Sequence, residues 1–430
     1  MTPSPVPADA LPWRTGLAYG ALAAPLAFVS LPLYVTLPHH YATVAGAPLA
    51  ALGGVLLAVR ALDALVDPAL GRWADHLFGH GPARAWRAAA AASVVLAGAF
   101  AALWHPPQGA TPVVLAWLAA SLMLATLAYS TASILHQAWG TRWGGSPGWR
   151  ARVSAWREGA TLAGVLLASA LPAWLGLDVT SAVLALGLLA ALAGLRRVRE
   201  PELRAPVVPP ERTRPGSGSP WSDRGFRQLL TVFMINGVAS AIPATLLPFF
   251  VADRLQASAL QPALLLAYFG AAALGLPLWV RAVRRWGLSP AWRTGMAASV
   301  AAFALTPFLG AGDGLVFLVI CVASGLALGA DLALPGALLT GVIHQAGAGQ
   351  QAAGRYLGWW TCATKLNLAL AAGLTLPLLA AAGYQPGQSD PAGLQALAWA
   401  YGGLPLLLKL AALAALWRAE HHHPHWKDVT

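Results

Sequence analysis

The segment P-E-L-R-A-P-V-V-P-P-E-R-T-R-P-G-S-G-S-P, residues Pro201–Pro220, is the one long polar stretch of this sequence. Proline, glycine, serine and charged residues in this mixture form flexible linkers. The segment lies near the middle of 430 residues, of which 57% are hydrophobic and only 10% are charged. Soluble domains carry about 25% charged residues. The sequence therefore predicts a polytopic membrane protein that a polar linker divides in two.

The same composition excludes several classes of function. A disordered chain is excluded, because disorder needs few apolar residues and a high charge density. The net charge of +11 does not indicate nucleic-acid binding, because the basic residues fall in short segments between apolar runs. No phosphate loop, nucleophile elbow or H-E-x-x-H motif is present, so we predict neither an enzyme nor a metal or cofactor site. Cys321 and Cys362 lie in apolar runs and are predicted to be free, buried thiols.

Long apolar runs predict the transmembrane helices, because a helix needs about 20 apolar residues to cross the hydrocarbon core. The runs are rich in alanine and leucine and lack the alternation of a β-barrel strand. We predict an all-α fold with twelve spans: 16–37, 48–70, 86–104, 112–137, 153–175, 179–195, 226–251, 259–281, 291–310, 314–343, 355–382 and 392–417.

Basic residues predict the orientation of these spans. The segments assigned to the inner side carry 22 arginines and lysines, whereas the outer loops carry one, Arg254. Cytoplasmic loops hold the excess of basic residues, so both termini are predicted to be cytoplasmic. We expect a monomer in a bacterial inner membrane, in contact with lipid.

The linker divides the spans into two sets of six. We predict an N-terminal six-helix bundle at residues 1–195, a central cytoplasmic loop at 196–225, and a C-terminal bundle with a short cytoplasmic tail at 226–430. Two six-helix halves joined by a basic inner loop are the arrangement of major-facilitator transporters.

Charged residues at membrane depth are the candidate functional residues, because such charges are costly. Asp63 and Asp67 lie four residues apart, on one face of the second predicted helix, with Arg60 nearby. Two stacked carboxylates can ligate Na⁺ or share a proton. A structural ion-pair network with Arg60 is the alternative, and the residues alone leave both open.

Other charges are distributed over the later spans. Arg157 in the fifth span either binds a solute or reaches to the interface. Lys365 lies about ten residues into the eleventh span and is predicted to face a cavity. Lys409 in the last span is predicted to snorkel to the surface. Trp360 either stacks on a sugar ring or packs against lipid.

The stretch V-R-A-L-D-A-L-V-D-P-A-L-G-R-W-A-D, residues 59–75, resembles the glycoside–pentoside–hexuronide cation symporters, the family of the melibiose permease within the major facilitator superfamily. Further matches are R-E-G-A-T-L-A-G from Arg157, G-A-D-L-A-L-P from Gly329, and K-L-N-L-A-L from Lys365. In order and spacing they cover nearly the whole chain.

The resemblance implies roles for individual residues. The cation-binding residues would be Asp63, Asp67 and Thr126. The substrate-binding residues would be Arg157, Lys365, Thr361, Tyr129 and Trp360. We assign Arg60, Gly71, Asp75 and Asp331 to a conformational lock.

Departures from the family pattern bear on substrate and ion. Ala27 stands where the melibiose permease pattern has a sugar-binding acid, and Tyr129 stands at the position of the helix-four acid. We predict a secondary transporter that moves a sugar or glycoside with Na⁺ or H⁺ by alternating access. The alternatives are a transporter of lysophospholipids or other amphiphiles, and a non-transporting membrane sensor or scaffold.

Overall fold

The computed structural model describes residues 11–37, 40–41, 49–198, 219–347, 352–384, 387 and 390–427. These residues form helices joined by short turns, and this part of the chain contains no β-strand, which confirms the all-α prediction. The first six α-helices are α1 (Trp13–Gly20), α2 (Ala23–Leu31), α3 (Leu49–Gly79), α4 (Pro82–Leu103), α5 (Thr111–Arg142) and α6 (Pro147–Arg197).

The later α-helices follow the predicted linker, most of which (199–218) lies outside the described residues. They are α7 (Arg224–Phe249), α8 (Gln261–Trp286), α9 (Leu288–Phe303), α10 (Gly314–Gln345), α11 (Ala353–Ala381), α12 (Pro391–Ala398) and α13 (Leu404–His422). Short π-helical segments occupy Pro32–Thr36, Phe250–Arg254 and Trp399–Gly403.

Short polar side chains fix where several of these helices begin. The Asp223 carboxylate accepts hydrogen bonds from the backbone N–H groups of Gly225 and Phe226, at 2.8 and 3.3 Å. Asp390 caps α12 in the same way through Gly393, at 2.9 Å. Such caps satisfy the N–H groups that a helix leaves without an internal acceptor.

The described residues of the predicted spans are mostly helical. Seven stretches of described helix are long and apolar enough to cross a membrane: Pro82–Leu103, Thr111–Arg142, Trp174–Arg197, Arg224–Arg254, Ser258–Trp286, Gly314–Gln345 and Pro391–His422. The count of twelve therefore stays a prediction.

One glycine separates two predicted spans inside α6. Gly176 has φ 78° and ψ 172°, a conformation that glycine adopts without steric cost. The helix axis breaks there, between the predicted spans 153–175 and 179–195. The 51 residues of α6 thus correspond to two successive spans rather than to one long helix.

The chain folds into two compact units. The first unit comprises Met1–Gly145, Trp156–Ser217 and Ile343–Cys362, and the second comprises Ser146–Ala155, Gly218–Val342 and Ala363–Thr430. The predicted domain boundaries at 195 and 226 stay a prediction. In the first unit α5 packs against both α3 and α4. In the second unit α13 packs against α7 and α9.

The core of the second unit combines aliphatic and aromatic side chains. Tyr401 stacks on Phe250 with ring centroids 4.1 Å apart and planes inclined by 7°. Phe317 lies close to both rings, at 5.4 and 6.0 Å. Cys321 borders this cluster, and both cysteines are buried thiols that form no disulfide, as predicted.

A buried polar cluster lies in the same unit around Asp331. The Asp331 carboxylate accepts hydrogen bonds from Asn236 Nδ2 at 3.0 Å, from Trp292 Nε1 at 2.9 Å and from Lys409 Nζ at 2.7 Å. Lys409 also donates to Asn236 Oδ1 at 3.0 Å. The prediction that Lys409 snorkels was wrong: its side chain is 9% exposed, because pairing with Asp331 neutralises the charge in place.

We predict that the single substitution Lys409→Met is more destabilising than the pair Lys409→Met and Asp331→Asn. Removing the ammonium leaves an uncompensated buried carboxylate, which costs about 3–5 kcal/mol. Asparagine at 331 removes that charge and keeps an acceptor for Trp292. Thermal unfolding of the purified variants, followed with a dye that reacts with exposed thiols, measures the difference. Equal losses in the two variants would contradict the pairing.

Candidate functional site

Two acidic side chains of α3 are buried in the first unit. Asp63 is 7% exposed and Asp67 is fully buried, and one helical turn separates them. Ser130 of α5 donates a hydrogen bond from Oγ to Asp63 Oδ1 at 2.9 Å. The packing of α3 against α5 therefore brings a hydroxyl to the carboxylate pair. Carboxylate and hydroxyl oxygens are suitable ligands for a monovalent cation, and paired carboxylates also hold a proton.

The hydroxyl at this pair is not the one predicted from the family resemblance. Thr126 Oγ1 donates to the backbone carbonyl of Met123 at 3.1 Å, within its own helix. Ser130 lies one turn further along α5 and makes the contact with Asp63. Residues four apart share a helix face, so Thr126 and Ser130 lie on the same face of α5, and the assignment of Thr126 to a cation site stays a prediction. Arg60, the basic neighbour on α3, is exposed.

Asp75, near the end of α3, holds the beginning of α11. Its carboxylate accepts hydrogen bonds from the backbone N–H groups of Gly354 and Arg355, at 2.5 and 2.9 Å. The Arg355 Nε atom lies 3.6 Å from the same carboxylate. A helix N-terminus carries partial positive charge and free N–H donors. Asp75 therefore acts as a side-chain cap that α3 supplies to α11.

Glycines allow α3 and α11 to approach at backbone distance. A methyl group on Gly71 would lie 2.0 Å from the carbonyl oxygen of Gly354, and one on Gly358 would lie 2.6 Å from that of Asp67. Neither position has room for a side chain. The predicted lock residues Gly71 and Asp75 therefore both contact α11, and the contact extends to the backbone of Asp67.

The pKa of Asp75 is shifted upward. Asp75 lies beyond the predicted span 48–70, and burial raises the pKa of its carboxyl to about 6. The N–H donors of Gly354 and Arg355, together with the charge of Arg355, act in the opposite direction. The protonated form is thus favoured while Asp75 is buried against α11.

The predicted substrate residue Arg157 is paired with its sequence neighbour. Arg157 donates from Nε and Nη2 to Glu158 Oε1, at 2.9 and 2.8 Å. The phenol of Tyr19 interacts with the same guanidinium. Because the charge of Arg157 is compensated, a solute that binds there must share or replace Glu158.

Tyr19 and His136 are two residues of this region that the sequence analysis did not identify. The fully buried imidazole of His136 donates from Nε2 to the backbone carbonyl of Tyr19 at 2.8 Å. The Tyr19 ring packs against His136 and Trp143, with centroids 4.6 and 4.9 Å away. The feature of the sequence that could have identified His136 is the presence of a histidine within a long apolar run.

The remaining predicted substrate residues are distributed over both units. Thr361 and Trp360 of α11 are buried in the first unit, and Tyr129 of α5 is half-buried there. The Thr361 hydroxyl finds no hydrogen-bond acceptor among the described residues. Lys365 is half-buried and belongs to the second unit, as does Asp331, which the sequence analysis had assigned to the lock.

A family model described as MFS/sugar transport protein matches residues 16–420. The chain belongs to this family. It is therefore a membrane transporter of the major facilitator superfamily, and not an enzyme. Major facilitator transporters bind small molecules, so the transported solute is a small-molecule substrate. No curated protein gives a significant match to the sequence.

Solved structures of transporters share the fold of this major facilitator protein. A bacterial homologue of the iron transporter ferroportin, in an outward-facing state, has a TM-score of 0.69 at 16% identity, over 96% of this chain and 100% of its own. The human organic anion transporter MFSD10 (TETRAN) has a TM-score of 0.59 at 20% identity, over 94% and 98%. The E. coli fucose:proton symporter FucP has a TM-score of 0.61 at 13% identity, over 94% and 97%.

We predict that the contact between Asp75 and α11 depends on pH. The stabilisation from protonated Asp75 is fully present below its ordinary pKa of 3.8 and is lost as the pH rises through about 6. Spin labels at His76→Cys on α3 and Trp359→Cys on α11, in a variant without Cys321 and Cys362, measure this contact by pulsed dipolar spectroscopy. We expect a larger short-distance population at pH 5 than at pH 7.5.

The matched control is Asp75→Asn, which keeps the shape and an acceptor but does not titrate. This variant is expected to show the pH 5 distance distribution at both pH values. An unchanged pH dependence in Asp75→Asn would show that another group controls the contact.

Proposed function

We propose that this transporter moves a sugar or glycoside together with a monovalent cation, as the melibiose permease-like symporters do. The observation that carries the proposal is the buried pair Asp63 and Asp67, with the Ser130 hydroxyl on Asp63. Two carboxylates one turn apart in a membrane-embedded helix are costly while both are ionised. Binding of Na⁺ or H⁺ lowers that cost, so the pair responds to a cation.

Coupling would follow from the position of the pair on α3. The same helix contacts α11 through Asp67, Gly71 and Asp75, and α11 carries the predicted solute residues Thr361 and Lys365. In alternating access the cavity opens to one side of the membrane at a time. A cation on α3 and a solute on α11 would therefore bias the same helix contact, which is the condition for coupling two ligands.

The solute contacts are proposed from the chemistry of the predicted residues. The Thr361 hydroxyl is buried and suits a sugar hydroxyl, while Trp360 offers an aromatic face. Arg157 has a fork of donors that Glu158 now occupies. Tyr129 and Lys365 complete the set. We place the protein in a bacterial inner membrane as a monomer, with both termini cytoplasmic and no cofactor.

Gradient-driven uptake into proteoliposomes tests this function. Labelled sugars and lysolipids are offered under an inward Na⁺ or H⁺ gradient. We expect Asp63→Asn and Asp67→Asn each to reduce gradient-driven uptake at least tenfold, because a neutral amide neither ligates Na⁺ strongly nor carries a proton at neutral pH. Ser130→Ala is expected to weaken the dependence on the cation several-fold.

Thr126→Ala is the matched control, since it removes a hydroxyl from the same face of α5 that bonds only within its helix. It is expected to leave the cation dependence unchanged. Full gradient-driven uptake in both Asp variants would disprove the coupling role of the pair. Binding of a solute without any uptake would favour the sensor or scaffold.

A second candidate solute is a lysophospholipid or another amphiphile. A largely apolar cavity in the second unit favours it, because sugar hydroxyls buried against apolar walls would lose hydrogen bonds to water. Uptake of a labelled lysolipid, with no uptake of sugars, would decide for this candidate.

A further inference from the structure

A cavity of about 200 Å³ lies inside the second unit, separate from the carboxylate pair of the first. Five helices, α7 to α10 and α13, contribute to its walls. The lining consists mainly of leucine, phenylalanine, alanine and proline side chains, among them Leu247, Leu264, Phe303 and Phe317. Serine and tyrosine side chains, among them Ser240 and Tyr268, are interspersed in this apolar lining.

The lining of the cavity extends over several turns of α10. On α10 its lining residues run from Phe317 through Cys321, Ser324 and Leu328 to Asp331, one stripe along a single helix face. At 1.5 Å per residue this stripe extends about 21 Å along the helix. Such a shape fits a flexible chain better than a ring system.

One end of the cavity is polar. Asp331 is the last lining residue along α10, and Lys409 is the last along α13. The Lys409 ammonium has three protons, and the described residues accept two of them, through Asn236 at 3.0 Å and Asp331 at 2.7 Å. One proton is left for a molecule in the cavity. Asp331 already receives donors from Asn236, Trp292 and Lys409.

We propose that this cavity binds a single-chain amphiphile whose head accepts a hydrogen bond from Lys409, a carboxylic acid or an ester. Its chain lies along the stripe of α10 toward Phe317, beside the packed rings of Phe303 and Tyr401. The head meets the polar cluster of Asp331 and Lys409. The site does not depend on the proposed coupling at Asp63 and Asp67, because every residue that lines it belongs to the second unit.

Cys321 provides a direct probe, because it is buried and lines the cavity. In Cys362→Ser protein in nanodiscs of two-chain lipids, the rate of Cys321 alkylation by N-ethylmaleimide is measured by intact mass. We expect dodecanoate to slow alkylation at least fivefold in a saturable way. Dodecyltrimethylammonium, which has the same chain and no acceptor, and sucrose are expected to have no such effect.

A pair of adjacent variants provides the control for direct binding of labelled dodecanoate. Ala244 lines the cavity, whereas its neighbour Thr245 does not. Ala244→Phe should fill the cavity and lower binding at least tenfold, and Thr245→Phe should bind like the unsubstituted protein. Equal binding by both variants, or equal protection by dodecanoate and dodecyltrimethylammonium, would overturn the proposal. Gradient-driven uptake by Ala244→Phe is a separate measurement, so this proposal and the proposed coupling can fail independently.

Discussion

The cost of a charge at membrane depth governs the placement of the polar groups in this protein. In the second unit Asp331 is neutralised by Lys409 and held by Asn236 and Trp292. In the first unit Arg157 is neutralised by Glu158. Asp63 and Asp67 differ from both, because like charges are stacked one turn apart. The first two arrangements pair opposite charges, whereas the third is the one that we propose takes up a cation. That difference is the physical basis for assigning coupling to α3.

The helix α3 carries both the carboxylates of Asp63 and Asp67 and the contact with α11 that we propose they control. Asp67 lies against Gly358, and Asp75, two turns further along α3, caps the first residues of α11. Glycines at 71, 354 and 358 bring the two backbones together, so small changes at Asp67 reach α11 without intervening side chains. Close contact between two stiff helices favours a discrete opening over gradual deformation. The predicted lock residues Gly71 and Asp75 thus contact α11 through backbone proximity and one helix cap.

The helices followed from the sequence because long apolar runs have one stable form in a membrane. The motif of residues 59–75 also placed Asp63, Asp67, Gly71 and Asp75 on one helix. Partners across helices did not follow, since they depend on axial register. Ser130, one turn beyond Thr126, donates the hydrogen bond to Asp63, while Thr126 bonds within its own helix. Lys409 was assigned to the surface because its counter-ion Asp331 lies 78 residues earlier. Register and long-range pairing are set by packing, which local pattern does not contain.

The central claim is that Asp63 and Asp67 hold the coupling cation. The most direct measurement is the difference in bound protons between the unsubstituted protein and Asp63→Asn/Asp67→Asn, titrated from pH 4 to 9 with and without Na⁺. The account predicts that the unsubstituted protein binds at least one additional proton in this range, or that Na⁺ displaces a proton only when both carboxylates are present. Superimposable titration curves under both conditions would contradict it.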